Sequence, residues 1–407
     1  MYGVRMDVLI SGASIAGPAV AHWLHRYGIR ATIVERAPRI RPGGQAVDLR
    51  GVARIVVEHM GLMPTVRATR LDERGFAHVD AAGRHVARMP ADMFGGEGIV
   101  AEIEILKGDL TRILYDATKD DVEYLFGDRI VELSQDTSGV DVRFASGAAR
   151  RFDHVIGADG IHSGVRTLAF GPPSRFVRHL GAYNAFYTVR DPGDLDHWFE
   201  MYNAPDRKAV GIRPEPGGKA KVLLSFGSGP LDYDRADVAA QKRLVAGHFQ
   251  GVPWRTPGLL EQMWDADDFY FDAIGQVHMD RWTHGRVALV GDAAYCASPI
   301  AGLGTSLAMV GAYVLAGELA SGTLSGYDSQ MRPYVKQCQE LPPGGVRGML
   351  PKRTWGIWAR NSSMRLMGVW PLRSMLEKQF AKADAIELRD YRAFTGVGGE
   401  ASRGAVS

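Results

Sequence analysis

The chain opens with a strand pattern, a helix pattern and a second strand pattern in close succession. A short apolar run, Val8 to Ile10, leads through small residues into an amphipathic stretch from about Ile15 to Tyr27. A second apolar run, Thr32 to Val34, follows and ends at Glu35. Short apolar runs bounded by glycine are typical of buried parallel strands, and a period near 3.6 indicates a helix. The pattern therefore predicts a βαβ unit.

Helical periodicity recurs from Gly51 to Gly61 and from Lys107 to Thr118, whereas strict alternation predicts strands at Ile130 to Leu133 and Val140 to Phe144. The segment from Leu303 to Leu319 is apolar on almost every side. It is slightly short of a membrane-spanning helix and glycines dilute it. We therefore expect a buried helix at the centre of a large α/β domain.

The middle of the chain has a different character. Between residues 175 and 275, alternation with many aromatic residues is broken by Pro- and Gly-rich turns, which is typical of a mostly antiparallel sheet. The βα pattern returns after Gly285, and the chain is predicted to be helical from about Tyr327 until a loose tail that starts at Gly396.

These patterns predict an α/β fold in which a Rossmann-like nucleotide-binding domain is interrupted by a second layer. The expected units are the nucleotide-binding domain at 1–174 and 276–340, a substrate-binding β-sheet layer at 175–275, and C-terminal helices with a tail at 341–407.

Composition places the chain among soluble globular proteins. Of 407 residues, 46% are hydrophobic and 23% charged, and the net charge of +2 gives no sign of nucleic-acid or membrane partners. Two cysteines suit neither a disulfide framework nor a metal site, so no metal is expected. The apolar stretch after Arg5 has some features of a signal peptide, but Asp7 interrupts it. We expect a cytoplasmic protein, monomeric or homodimeric.

The first motif is Gly12-x-Ser14-x-x-Gly17. The first glycine permits a tight turn, position 14 approaches a pyrophosphate, and the last glycine allows close helix–strand contact. Phosphates would then meet the free amides and the positive end of the helix. Glu35 is placed to accept hydrogen bonds from a ribose diol. Ser14 departs from the strict all-glycine fingerprint, and an ordinary βαβ turn is the alternative interpretation.

Two further motifs share the same strand–turn–helix form. Asp159-Gly160 follows an apolar run and precedes Ser163, which is a candidate helix cap. Gly291-Asp292 also follows an apolar run, and a glycine-rich helix start comes after it. Each alone is equally consistent with a capped loop, but the three in this order and spacing are specific.

With these three motifs the sequence resembles the class A FAD-dependent aromatic monooxygenases, the family of para-hydroxybenzoate hydroxylase and the tetracycline-inactivating flavin monooxygenases. The resemblance covers about residues 6 to 340. It implies an FAD-binding domain of the glutathione-reductase type, FAD as cofactor and NAD(P)H as co-substrate.

The resemblance also implies a set of FAD contacts. The residues are Gly12, Ser14, Ile15, Ala16 and Gly17 at the pyrophosphate, Glu35 and Arg36 at the adenosine, Ile130 at the adenine, Lys107 at the flavin side chain, Asp159 at FAD and the nicotinamide nucleotide, Asp292 at the ribityl chain, Pro299, Gly302, Leu303, Gly304 and Thr305 at the isoalloxazine, and Asp48 in the loop beside it. Relatives usually have Arg at position 107, often His at 295, where this chain has Tyr, and often Gln at 303. Hydrogen bonding near the ring is therefore expected to differ.

In this family NAD(P)H reduces the flavin, O₂ adds at C4a, and the hydroperoxide transfers one oxygen to an electron-rich carbon. No protein acid or base is required, and none is assigned here. We expect an aromatic or polycyclic, polyketide-like substrate between the inserted sheet and the flavin. Candidate lining residues are Phe186, Tyr202 and Phe226, each of which is also consistent with ordinary core, and Arg213, which is either a partner for an anionic oxygen or an exposed loop residue.

Two other functions are consistent with the same motifs. One is an FAD-dependent dehydrogenase or reductase that inserts no oxygen, because fold does not fix the reaction. The other is a non-catalytic flavin-binding carrier, against which the intact Gly291-Asp292 and Asp159-Gly160 motifs argue mildly.

Overall fold

The computed structural model describes residues 6–93, 101–342, 344–365, 381–391 and 393. The tail predicted from Gly396 onward lies outside the described residues.

Four sheets are formed within these residues. Their strands are β1 Asp7–Ser11, β2 Arg30–Glu35, β3 Ala46–Asp48, β4 Gly75–Val79, β5 His85–Pro90, β6 Glu104–Leu106, β7 Glu123–Phe126, β8 Ile130–Gln135, β9 Val140–Phe144, β10 Ala149–Phe152, β11 His154–Gly157, β12 Val177–Val189, β13 Trp198–Ala204, β14 Lys208–Glu215, β15 Lys219–Phe226, β16 Tyr270–Val277, β17 Thr283–His284 and β18 Val287–Leu289.

Helices connect and cover the sheets. They are α1 Ala16–Arg26, α2 Val52–His59, α3 Met63–Thr69, α4 Lys107–Asp116, α5 Gly164–Phe170, α6 Val238–Phe249, α7 Thr256–Met263, α8 Asp292–Tyr295, α9 Gly304–Ala320, α10 Ser325–Gln339, α11 Gly345–Met349 and α12 Thr354–Arg365.

The central sheet has the order β17-β18-β11-β1-β2-β7. Its strands pair in parallel except at β17, which is antiparallel to β18. Both faces of β1 are covered, which is why Val8, Leu9 and Ile10 are all fully buried and the strand is a continuous apolar run. The predicted βαβ unit is confirmed, since β1, α1 and β2 follow each other and the two strands pair in parallel.

The second large sheet has the order β16-β12-β15-β14-β13-β4-β5. Its neighbours are antiparallel except for the parallel pair β13–β4, so the predicted mostly antiparallel layer is confirmed. Two features were not predicted. Strands β4 and β5 come from the segment assigned to the nucleotide-binding domain, and helices α6 and α7 lie within the segment expected to be sheet.

One face of this second sheet is closed by helices. A hydrophobic cluster joins Tyr183, Leu224 and Phe226 of the sheet to Val245 of α6 and Leu259 of α7. We refer to the opposite face, which turns toward the nucleotide-binding part, as the open face. Because side chains alternate along a strand, residues one step away from this cluster lie on the open face.

The predicted buried helix is confirmed as α9. All its residues from Thr305 to Leu319 are buried, and it packs against α1, α2 and α10. Among the residues that the structure describes, none of the helices combines the length and apolarity needed to cross a bilayer.

Candidate functional site

The first glycine motif forms a turn in which no larger residue fits. Gly12 has φ +108°, and a Cβ there would lie 2.5 Å from the carbonyl oxygen of Ala158. A Cβ at Gly17 would overlap the carbonyl oxygen of Gly12. The chain thus passes closely over itself between β1 and α1. No side chain among the described residues caps α1 at Ile15, so its first amides remain available to a phosphate.

Glu35 ends β2 beside this turn. Its carboxylate accepts hydrogen bonds from the amides of Ala13 at 2.9 Å and Ala37 at 2.8 Å. The neighbouring Asp128 amide donates to the Glu35 carbonyl, which brings Ile130 at the start of β8 to the same end of the sheet. Arg36 is exposed. These residues form one edge at the carboxyl end of β2, where α/β folds bind nucleotides.

Asp159 has a structural role that the sequence did not indicate. Its carboxylate accepts hydrogen bonds from the Ser163 hydroxyl and from the amides of Gly164 at 2.8 Å and Val165 at 3.1 Å. Burial nevertheless raises the pKa of this carboxyl. Ser163 caps α5 by accepting from the Arg166 amide, as predicted. Asp159 therefore holds the turn that touches Gly12.

The third motif meets the first in space. A Cβ at Gly291 would lie 3.3 Å from the Cβ of Ala16 at the start of α1. Asp292 follows as the first residue of α8 with an exposed side chain, and the Cβ position of Gly304 is 3.9 Å from its carboxylate oxygen. The starts of α1 and α9 therefore lie on either side of the Gly291-Asp292 turn.

The loop before α9 is strained. Ser298 has φ +79°, Gly302 is left-handed at +67°, and a short turn, Pro299–Ala301, lies between them. Leu303 is fully buried, so its side chain packs in the core. No side chain of the described residues caps α9, which leaves the amides of its first turn, around Gly304 and Thr305, free.

Asp48 lies beside this loop, whereas Lys107 lies beside the Gly43–Gly44 loop, where a Cβ at Gly44 would be 3.4 Å from the Cβ of Lys107. The carboxylate of Asp48 is 3.7 Å from the Cβ position of Gly302. Lys107 is the first residue of α4, and the Gly43–Gly44 loop lies against α4 so closely that a Cβ at Gly108 would be 2.5 Å from Gly43 atoms.

Tyr295 does not face this loop. Its hydroxyl contacts the Tyr327 hydroxyl at 2.9 Å in the core, and burial raises the pKa of the Tyr295 phenol.

Of the candidate substrate residues, two lie on the helix-covered face of the second sheet. Phe226 stacks on His248 with ring centres 3.8 Å apart, and Tyr202 packs near Trp254 at 6.1 Å. Phe186 is on the open face, on which Ile300 of the α9 loop also packs. Arg213 also lies on the open face, in β14, and is mostly buried, so its interpretation as an exposed loop residue is wrong.

Sequence reasoning missed a buried polar group beside the α9 loop. Arg50 donates to Asp48 at 2.9 Å, and its backbone exchanges hydrogen bonds with the Ser306 hydroxyl. Arg213 forms ion pairs with Glu73 and Glu104. No sequence signal marked this cluster, since Glu73 lies in a run of charged residues and a charged residue within an apolar run, such as Glu104, does not reveal its long-range partners.

The glycine turns and the uncapped starts of α1 and α9 form one continuous site, with the carboxylates of Glu35 and Asp292 at its two ends. Such a site defines a protein that binds a dinucleotide along its length. The glycine positions fit FAD because Gly12 and Gly17 let the turn after β1 and the start of α1 approach each other closely, as a pyrophosphate-binding turn requires. The chain belongs to the FAD binding domain family, whose model matches residues 5–343, and FAD is its cofactor.

The relatives identify it as an enzyme of the flavin monooxygenase group. A flavin-dependent monooxygenase of Legionella longbeachae serogroup 1 (strain NSW150) is 38% identical over 346 residues, covering 83% of this chain and 88% of the relative. The structure of tetracycline destructase Tet(51) matches with TM-score 0.80 and 33% identity, over 95% of this chain and 99% of that one. HpxO of Klebsiella pneumoniae, solved with FAD and uric acid, shares the fold with TM-score 0.72 at 22% identity, over 93% of this chain and 97% of that one.

Proposed function

We propose that the protein uses NAD(P)H and O₂ to hydroxylate an aromatic or polycyclic small molecule. The observation that carries the proposal is the contact between Ile300, in the loop before α9, and the open face of the second sheet. This contact brings the proposed ring-binding loop and the substrate layer together. FAD, when bound, supplies the oxygen-activating chemistry.

Backbone amides perform the main electrostatic task in this proposal. The free amides at the start of α9, around Gly304 and Thr305, point along a long helix whose positive end favours negative charge. Such preorganised donors would stabilise the charge that a two-electron reduction places on the ring. Asp292 would orient the ribityl chain through its exposed carboxylate. Glu35 and Lys107 would hold the adenosine and the flavin side chain.

The open face would form the wall of the substrate site. Phe186 and Phe199 both lie on it, and Phe199 is in contact with the Arg213 guanidinium, 4.4 Å from the ring centre. Apolar walls suit a flat, largely apolar substrate and keep water from the reacting atoms. Phe226 and Tyr202, being on the helix-covered face, are not part of this proposed lining, and the Arg213 charge is engaged by carboxylates.

The experiment is anaerobic mixing of the FAD-loaded protein with NADPH or NADH, followed by ¹⁸O₂ with and without candidate substrates. Because a structure 33% identical to this chain is that of a tetracycline destructase, a tetracycline is the first polycyclic probe, beside simple phenols. A product heavier by one ¹⁸O atom supports the proposal. Rapid flavin reduction with electrons passing to another acceptor would establish a reductase. No reduction by either nucleotide would favour a carrier.

A cytoplasmic location and a monomeric or homodimeric state belong to the same proposal. The support for the location is chemical, because Cys296 and Cys338 are both unpaired and buried. Fractionation of the producing cells and light scattering of the FAD-loaded protein test the two statements.

A further inference from the structure

Arg213 joins the two halves of the molecule through two buried carboxyl groups. Its Nη2 lies 2.7 Å from Oε1 of Glu104 in β6, and its Nε lies 3.1 Å from Oε1 of Glu73. The side chains of Arg213, Glu73 and Glu104 are 14%, 2% and 4% exposed. This is a closed ion cluster between the second sheet and the flavin-binding part.

The cluster has more carboxyl groups than its cation can neutralise. Among the residues that the structure describes, Arg213 is the cation that acts on both Glu73 and Glu104. Both oxygens of Glu73 and Oε2 of Glu104 lack a well-aligned hydrogen bond within the described residues. Two buried carboxylates facing one guanidinium would leave an uncompensated charge, which is costly, and a single bound proton removes it. Burial raises the pKa of Glu73 to about 7 and that of Glu104 well above its usual range.

Asp48 connects this cluster to the proposed ring-binding loop. Strands β3 and β6 pair so that Asp48 is directly opposite Glu104, and the Asp48 carboxyl contributes to the raised pKa of Glu104. Side chains directly opposite each other on paired strands are neighbours, and two such carboxyl groups can share a hydrogen bond once one of them carries a proton. On its other side, Asp48 is paired with Arg50 and lies beside Gly302.

We propose that Glu73, Glu104 and Asp48 form a buried proton store that holds one exchangeable proton against Arg213 and delivers it at Gly302. The delivery step rests on the proposed function, whereas the store does not. Within the described part of the chain, Arg213 and Asp48 act on Glu73, Arg213 and both other carboxyls act on Glu104, and Arg50 is paired with Asp48.

The proposed reaction requires a source of protons inside the protein. Its balance is NAD(P)H, H⁺, O₂ and substrate giving NAD(P)⁺, water and the hydroxylated product, so one proton is consumed in each turnover. A site that excludes water must obtain this proton from the protein. In the transfer, the O–H bond of Glu104 breaks as an O–H bond forms on Asp48, and the Glu104 carboxylate left behind is stabilised by Arg213. Asp48 then passes the proton to the oxygen that leaves as water, and solvent refills the store.

The store is tested first without FAD, by infrared spectroscopy at neutral pH. We expect the carbonyl stretch of a protonated carboxyl in the wild type and its loss in Glu104→Gln. In Glu73→Gln the band should titrate away at a pH at least one unit lower, because one carboxyl then faces Arg213. Glu102→Gln is the control, since Glu102 is two residues away but partly exposed and paired with Arg54 and Arg67. Absence of the band in the wild type would overturn the store.

Unfolding gives a second test that needs no cofactor. A carboxyl that keeps its proton when folded, but loses it when unfolded, makes stability fall as pH rises from about 4.5 to about 7 for Glu73. Measured relative to the wild type, the melting temperature of Glu73→Gln should therefore rise as the pH is raised from 5 to 7. Equal slopes for the two proteins would contradict the assignment to Glu73.

Delivery at Gly302 is tested by adding FAD and then reducing it with dithionite. We expect the Glu104 band to shift at one of these steps and Asp48→Asn to abolish the shift. If the Glu104 band keeps its position on both FAD addition and reduction, delivery is overturned, while the store remains established. A protein that takes up no FAD would instead refute the proposed function, and the two cofactor-free tests would be unaffected.

Discussion

At the scale of single residues, three carboxylates of similar sequence context have different surroundings. The Asp159 carboxylate accepts hydrogen bonds from a hydroxyl and two amides, so it stabilises the turn in which it lies. Glu35 accepts two amides at the end of β2. Asp292 is exposed between the starts of α1 and α9, which leaves its oxygens available to hydroxyl groups of a ligand. Of the three, Asp292 is therefore the one whose removal should affect FAD most directly.

Asp292→Ala should weaken FAD binding about 10- to 150-fold, which corresponds to one charge-assisted hydrogen bond of about 1.5 to 3 kcal/mol. The measurement is a fluorescence titration of FAD-free protein. Asp265→Ala, at an exposed position after α7, is the control and should bind FAD as the wild type does. Unchanged affinity in Asp292→Ala would remove the ribityl assignment.

At the scale of elements, close approach of helices to strands depends on missing side chains. The start of α1 fits against the β1 turn only because position 17 has no Cβ. The same residue type in α6 has a different role, since a Cβ at Gly247 would meet nothing within 4 Å. Glycine thus permits contact in one helix and only adds backbone freedom in the other.

Gly17→Ala should destabilise the FAD-free protein by about 1 to 3 kcal/mol, because α1 must move away from the turn. Gly247→Ala is the matched substitution and should stabilise by about 0.5 to 1 kcal/mol. Denaturant unfolding of both variants measures the difference. If both changes were neutral or stabilising, the close approach at Gly17 would be refuted.

At the scale of the whole molecule, the partly buried His22 and the buried His78 make the free energy of unfolding depend on pH. Burial lowers the pKa of His22 in α1 to about 4 and that of His78 in β4 to about 3. Below the ordinary histidine pKa, each imidazole ring binds a proton in the unfolded state but stays neutral in the folded state. Stability from these groups is complete above about pH 6.5 and is lost as pH falls toward the folded values.

The wild type should lose stability between pH 6.5 and pH 4, and His22→Gln should lose about 1 to 3 kcal/mol less over this range. Melting temperatures across the pH series provide the test. His59→Gln, which changes an exposed histidine of α2, is the control and should follow the wild type. Identical acid sensitivity in wild type and His22→Gln would show that His22 is not responsible.

The sequence by itself determined those features that depend on local pattern. The βαβ unit, the buried α9, the Ser163 cap and the mostly antiparallel layer all follow from periodicity or from one residue type at one position. The resemblance to flavin monooxygenases is confirmed for the same reason, since its motifs are short and continuous. The individual FAD contacts stay predictions.

Only the tertiary structure decided which face a side chain occupies and which distant residues meet. Alternation marks Phe186 and Phe226 equally, but the helices α6 and α7 close over one face of the sheet, whereas Ile300 and Val346 of α11 pack on the other. Arg213 finds Glu73 and Glu104 across more than a hundred residues of chain, and β4 joins β13 in the same way. Local sequence does not identify such partners, because charge compensation and the order of strands in a sheet arise only when the layers pack.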